Sequence, residues 1–190
     1  MTRKKGVGPN RLSLLYVEKR PVWPGDLERL GIPVLCLEPG CASVFKDELL
    51  NFFPGDAMAK KLSSQVFLLA EFLQRDLETL KKLKKSDLSA VLHGHCHQKT
   101  LTGMSAEQKI FSALGLEVEI LNTGCCGMAG AFGFEKDHYE VSMKVAETSL
   151  VPALEKAGSV RVLTDGFSCR EQVEHISGKK PLHLDRKSVV

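Results

Sequence analysis

Two adjacent cysteines followed by glycine, Cys125-Cys126-Gly127, sit inside Thr123-Gly124-Cys125-Cys126-Gly127-Met128-Ala129-Gly130. This segment constrains the fold more than any other. Neighbouring side chains leave the backbone in different directions, so two such thiols do not pack together as core hydrophobes. They can hold two atoms of one inorganic cluster, or one metal together with thiolates brought from elsewhere. The flanking glycines let the backbone come close and adopt conformations that other residues avoid. Cys96 and Cys169 stand on either side, at separations a fold can close.

The strand and helix pattern shows how. Pro33 to Leu37 reads as a short buried strand, followed by the turn Glu38-Pro39-Gly40-Cys41 and a helix from Ala42 to Phe53 stopped by Pro54. Met58, Leu62, Val66, Leu69 and Leu73 recur at helical spacing and predict one continuous amphipathic helix. Strands are predicted over 89–93, 116–121 and 160–163. Helices are predicted over 105–114, with Ser105 as N-cap and Gly115 as stop, over 135–156, and over 170–176. Alternation of strands and helices predicts an α/β fold with a parallel sheet. On that reading Cys41, Cys96, Cys125, Cys126 and Cys169 each follow a strand and precede a helix. All such turns of a parallel sheet lie at the carboxyl ends of its strands, where ligands bind. Cys36 falls inside a strand and is expected in the core. Pro9, Pro21, Pro24, Gly6, Gly8 and Gly25 break up residues 1–30, which are expected to be poorly ordered. The domain then spans 31–180 and a tail covers 181–190.

Three chemistries suit the cysteines. A [4Fe–4S] cluster takes about four thiolates, and Cys96, Cys125, Cys126 and Cys169 supply them, with Cys41 as a fifth. Zinc could be held by the same thiols with His95 or His97, but adjacent cysteines are poor zinc spacing. A vicinal disulfide is strained and ranks third. His95 and His97 flank Cys96 and are placed to hydrogen-bond a cluster sulfur, and Lys99 to offset cluster charge. His93 reads as a strand-end residue, and His138, His175 and His183 as surface groups.

Charge argues against nucleic acid as a partner. Residues 1–20 hold six Lys or Arg against Glu18, so the rest carries about −2 of the total of +3. The run Lys81, Lys82, Lys84, Lys85 reads as a solvated helix end. No apolar stretch is long enough to span a membrane, and the basic N-terminus is not followed by the apolar core of a signal peptide. Unexported, clustered cysteines point to a reducing cytoplasm and to metal or redox chemistry.

Three motifs together carry a resemblance. His95-Cys96-His97-Gln98-Lys99, Gly124-Cys125-Cys126-Gly127 with Met128 to Gly133, and Asp165-Gly166-Phe167-Ser168-Cys169-Arg170-Glu171-Gln172 resemble the cysteine-rich CCG domain. That domain occurs in heterodisulfide reductase B subunits, glycolate oxidase iron–sulfur subunits and anaerobic glycerol-3-phosphate dehydrogenase C subunits. With Glu38-Pro39-Gly40-Cys41 and Val44 to Leu49, the chain looks most like the C-terminal part of fused FAD-linked oxidases of the D-lactate or glycolate type. The resemblance implies electron transfer: a [4Fe–4S]-type cluster on this chain, and FAD on a partner subunit or a missing domain. It also allows peripheral membrane association through the complex. Cys96, Cys125, Cys126 and Cys169 match the second repeat of a duplicated unit, and Cys41 the closing cysteine of the first. The duplication is incomplete. Residues 1–30 lack cysteine, Cys169 stands alone after Ser168 where the pattern ends in C-x2-C, and no flavin domain or ferredoxin-type run is present. The chain is therefore expected not to be catalytically complete alone, the alternative being a zinc-binding or scaffold remnant.

Overall fold

The computed structural model describes residues 31–83 and 89–185. The expectation for residues 1–30, and those for Lys84, Lys85 and the last five residues, lie outside the described residues. The architecture is α/β with parallel strands, divided between two small sheets. β1 (Val34–Cys36) leads into α1 (Pro39–Ser43), which continues through a π-helical stretch (Val44–Glu48) into α2 (Leu49–Phe52). α3 (Ala57–Gln65) is followed by β2 (Val66–Leu68), α4 (Leu69–Leu73) and α5 (Leu77–Lys81). The larger unit comprises β3 (Ser89–Leu92), α6 (Cys96–Leu101), α7 (Ser105–Leu114), β4 (Glu117–Ile120), α8 (Tyr139–Glu147), α9 (Leu150–Ala157), β5 (Arg161–Leu163) and α10 (Phe167–Ser177).

β1 and β2 pair in parallel, Val34 with Val66 and Cys36 with Leu68. The second sheet runs β4-β3-β5, also parallel, with Leu92 between Ile120 and Leu163. Leu182 adds a parallel bridge to Leu163, and Leu184 is buried beside it, so residues 181–185 pack onto the sheet. Strand alternation splits the core in two. Ala90, Leu92 and Leu163 face Ile110, Phe111 and Leu114 of α7. Val91 and Val162 face Leu150 and Leu154 of α9, Val173 of α10, and Cys126 and Cys169. Each fully buried aliphatic such as Ile110 or Leu150 contributes roughly 1.5–3 kcal/mol.

Several expectations are corrected. The predicted helix over Met58 to Leu73 is interrupted by β2, because burying Val66 and Leu68 against β1 outweighs the helical spacing of their neighbours. Met58 is exposed. The predicted helix over 135–156 breaks at Thr148-Ser149. Ser149 turns its hydroxyl away from capping α9 and accepts the Gly124 N–H at 2.8 Å. Tyr139 is exposed, and two 3-10 turns precede it. Ser105 lies inside α7, whose cap residue is Met104, whereas Gly115 ends the helix in the left-handed conformation. Cys36 is half-buried and donates to the Glu38 carbonyl oxygen at 3.3 Å. His183 is buried, packed against the Leu37 carbonyl at 2.9 Å and Asp185 at 2.9 Å. His175 is exposed beside the Tyr139 hydroxyl, and His138 stacks half-buried on Phe132.

Glu107 is the one charged residue of α7 carried into the core, at 1% exposure. Gln98 Nε2 donates to its Oε1, and its Oε2 has no partner. Burial, and then the Asp165 and Glu71 carboxylates, push its pKa up to about 7. The raised value favours the protonated form in the fold. The contribution of Glu107 to stability is therefore fully present below about pH 4.5 and is lost as pH rises through about 7, by about 3 kcal/mol in all. Glu107→Gln is expected to remove most of this loss. Thermal melts at pH 5 and pH 8 should show the variant gaining on the parent at the higher pH.

Candidate metal centre

The turns after β4, β3 and β5 lie side by side at one sheet edge, and they carry Cys125-Cys126, Cys96 and Cys169 in that order. Cys96 is the first residue of α6, with His95 as N-cap, its Nδ1 accepting the His97 N–H. Cys169 is the third residue of α10. Cys125 and Cys126 lie in the turn after β4, where Gly127 takes φ +93°. A Cβ at Gly127 would stand 2.1 Å from the Ser142 carbonyl oxygen, so only glycine lets this turn seat against α8. Lys99 Nζ reaches across from α6 and donates to the carbonyl oxygens of Thr123 and Gly124, just before the double cysteine. That contact tethers two cysteine-bearing turns, a different use of Lys99 from offsetting cluster charge.

The four sulfurs form a connected row. All four are free thiols; the Cys126 and Cys169 sulfurs lie 3.5 Å apart, and hydrogen bonding couples Cys125 to Cys126 and to Cys96. Hydrogen bonds from Cys126 and Cys96, supported by the Gly127 N–H at 3.3 Å, pull the Cys125 pKa down to about 2. The Cys126 contact, against the opposing effect of burial and with His93 next, lowers Cys169 to about 5. The same hydrogen bonds and burial push Cys96 and Cys126 upward. Cys125 and Cys169 are thus the thiols of this group most easily deprotonated. Thiolates are the ligands of iron–sulfur clusters and of zinc. Among the described residues no three Cys, His, Asp or Glu side chains converge on one ion-sized point. Four neighbouring thiols suit either group by donor type.

His95 stands over this row. Its charge acts on both Cys125 and Cys169, and it nests where Gly166 and Gly40 leave room: a Cβ on Gly166 would lie 2.6 Å from its Cδ2. His97 is exposed, packs edge-on to His95 and bonds Ser43 of α1 at 3.0 Å. Cys41 follows β1 of the other sheet. It is exposed on α1, whose first turn abuts His95, and it is not part of the sulfur row. His93 carries more than its strand-end position suggests. It is fully buried, its Nδ1 lies 2.7 Å from Thr123 Oγ1, and its ring acts on Cys169. The signal was present in the strand period, which puts His93 on the face of Val91, the face that carries Cys126 and Cys169.

Residues 90–174 match the model of the cysteine-rich domain, CCG, and belong to that family. The chain is 34% identical over 157 residues to a D-2-hydroxyglutarate dehydrogenase of Pantoea ananatis, covering 82% of this chain and 15% of that protein. It is 31% identical over 159 residues to the Escherichia coli protein of the same name, covering 83% and 15%. To the C subunit of the anaerobic glycerol-3-phosphate dehydrogenase of Escherichia coli it is 31% identical over 147 residues, covering 76% and 36%. The chain thus spans about one seventh of the length of the D-2-hydroxyglutarate dehydrogenases it matches. No solved structure gives a significant match.

Two glycines of the double-cysteine loop separate steric from torsional cost. Gly130 has φ +68° with nothing within 4 Å of a Cβ, so Gly130→Ala should cost about 1–2 kcal/mol for the left-handed backbone. Gly127→Ala adds the collision with the Ser142 carbonyl and should cost several kcal/mol more. Denaturant titration of both variants checks the order.

Proposed function

We propose that this chain is the iron–sulfur electron-transfer module of a flavin-linked 2-hydroxy-acid dehydrogenase. In this reading Cys96, Cys125, Cys126 and Cys169 hold a [4Fe–4S]-type cluster, with Cys41 as an additional ligand from the neighbouring unit. The gathering of four free thiols at one sheet edge, two of them 3.5 Å apart, carries the reading. It is supported by the cysteine-rich family of residues 90–174 and by relatives that are dehydrogenases. Such a cluster, when bound, takes up and passes on single electrons.

The chain's own groups have separate parts in this scheme. The lowered pKa values of Cys125 and Cys169 ready two thiolates for metal at neutral pH. His95 and His93 place imidazoles against the sulfurs, where a nearby hydrogen-bond donor or positive charge tunes potential. Lys99 and Ser149 fix the backbone before Cys125. The electrons would come from FAD on a partner subunit or adjoining domain. The substrate class is a 2-hydroxy acid of the D-lactate or glycolate kind, with D-2-hydroxyglutarate brought in by the names of the relatives. The module would work in the cytoplasm, where thiols stay reduced, and reach a membrane through its complex. It would not complete the oxidation alone.

A zinc-binding or scaffold role is the second reading, favoured by the 3.5 Å separation of the Cys126 and Cys169 sulfurs. Two thiolates on one tetrahedral zinc would lie about 3.8 Å apart for bonds of about 2.3 Å. Anaerobic purification separates the two. The cluster reading expects brown protein with near-stoichiometric iron and sulfide. In the double variant Cys125→Ser, Cys126→Ser the visible absorbance should be lost while the far-ultraviolet helix signal is kept. Colourless protein carrying zinc, or no metal, would overturn it. So, for the partner requirement, would oxidation of a 2-hydroxy acid by the isolated chain with a dye acceptor.

A further inference from the structure

The helix that carries Cys169 has no cap of its own. α10 begins at Phe167, and its N-cap residue is Gly166, which offers no side-chain acceptor. The first N–H groups of a helix lack intrahelical partners, and Ser, Thr, Asp or Asn usually supplies one. None of these fits at 166. A Cβ there would stand 2.6 Å from His95 Cδ2 and 3.2 Å from Cys169 Sγ. The imidazole over the sulfur row thus forces glycine at the cap position, and the acceptor must come from elsewhere in the chain.

It comes from Glu38. Its Oε2 accepts the Phe167 N–H at 2.6 Å, across 129 residues of sequence. Its Oε1 accepts the Gly40 N–H at 3.2 Å and caps α1. One carboxylate therefore closes the first turns of two helices, one bearing Cys41 and the other Cys169. Two neighbouring contacts join the same halves of the molecule. His183 Nε2 meets the Leu37 carbonyl at 2.9 Å, and Ser43 Oγ meets His97 Nδ1 at 3.0 Å. Neither touches the first turn of α10; of these three contacts between the halves Glu38 acts on it directly, beside the Ser168 Oγ bond to the Gly130 carbonyl at 3.4 Å from within the larger unit.

We propose that Glu38 is a positioning residue of the cysteine site: by capping the Cys169 helix from the opposite half of the fold, it holds the first turn of that helix, and with it the Cys169 thiol, against Cys126. Glu38 is not a ligand in this arrangement. It acts through the backbone of Phe167, and its effect stands whether the site takes a cluster, zinc or no metal.

The test uses the full 190-residue chain, metal-free and reduced, as the parent and as Glu38→Gln and Glu38→Ala. Amide exchange at Phe167 and the rate of iodoacetamide alkylation of Cys169, which is 1% exposed in the parent, are measured together. In Glu38→Ala the Phe167 amide should lose roughly fivefold protection, the loss of a cap worth about 1 kcal/mol. Cys169 should be alkylated faster by a similar factor. Glu38→Gln keeps one acceptor oxygen and should fall between parent and Ala in both measurements, while the Leu92 and Ile110 amides stay unchanged in each variant. Unchanged Phe167 exchange and Cys169 alkylation in Glu38→Ala would overturn the proposal. So would loss of protection at Phe167, Leu92 and Ile110 together, which would mark a general stability effect. Should Glu38→Ala not fold, the comparison of parent with Glu38→Gln decides on the same two readouts. Failure of iron and sulfide to incorporate would count against the cluster reading alone, because neither readout uses metal.

Discussion

The parallel register of β4, β3 and β5 is the constraint on which the rest of this molecule depends. Parallel pairing sends all three strands out of the sheet at the same edge. Because β3 lies in the middle, its turn, with Cys96, stands between the turn carrying Cys125 and Cys126 and the one carrying Cys169. Four thiols separated by up to 73 residues thereby come into a connected row. A slip of one residue in β3 would reverse its faces, taking Val91 and His93 away from Cys126 and Cys169. The apolar packing on both sheet faces opposes such a slip, so the hydrophobic core protects the site geometry as well as the fold.

Close approach of the turns comes from missing side chains. Gly127 lets the double-cysteine loop touch the α8 backbone, and Gly166 and Gly40 leave the space that His95 fills. Polar tethers then hold what the glycines allow. Lys99 and Ser149 grip the backbone around Gly124, Thr123 braces His93, and Glu38 closes α10 from the other sheet. The sulfurs offset part of the burial cost among themselves, since Cys126 and Cys169 lie within hydrogen-bonding distance of one another at 3.5 Å. Unlike the sulfurs, Glu107 is only half satisfied in its core position, with Gln98 on one oxygen and nothing on the other.

Much of this was legible in the chain itself. The strands expected at 89–93, 116–121 and 160–163 form, over Ser89–Leu92, Glu117–Ile120 and Arg161–Leu163, each followed by a cysteine-bearing turn, and the parallel α/β class follows from their alternation with helices. Gly115 marks the end of α7, as its position after Leu114 implies. The misreadings have a common cause. Val66 sits in helical spacing with Leu62, Leu69 and Leu73, yet with Leu68 it forms β2 because β1 offers a buried edge. Thr148-Ser149 looks like helix interior, yet the helix breaks there because Ser149 is drawn to Gly124. His183 reads as surface, yet it is enclosed by Leu37, Asp165 and Asp185. In each case a contact distant in sequence outweighs a local preference of a few tenths to about 1 kcal/mol per residue.

The sequence by itself determined the donor chemistry, the parallel α/β class and the shared edge of the cysteine turns, because these follow from residue type and from periodicity along a single segment. Only the tertiary structure decided which thiols touch, that Cys41 stands outside the row, that His93 belongs to the site, and that Lys99 grips a backbone turn. Those outcomes depend on packing between segments far apart in the chain. The free energy of such packing is a property of two surfaces meeting, and no local pattern in either segment encodes it alone.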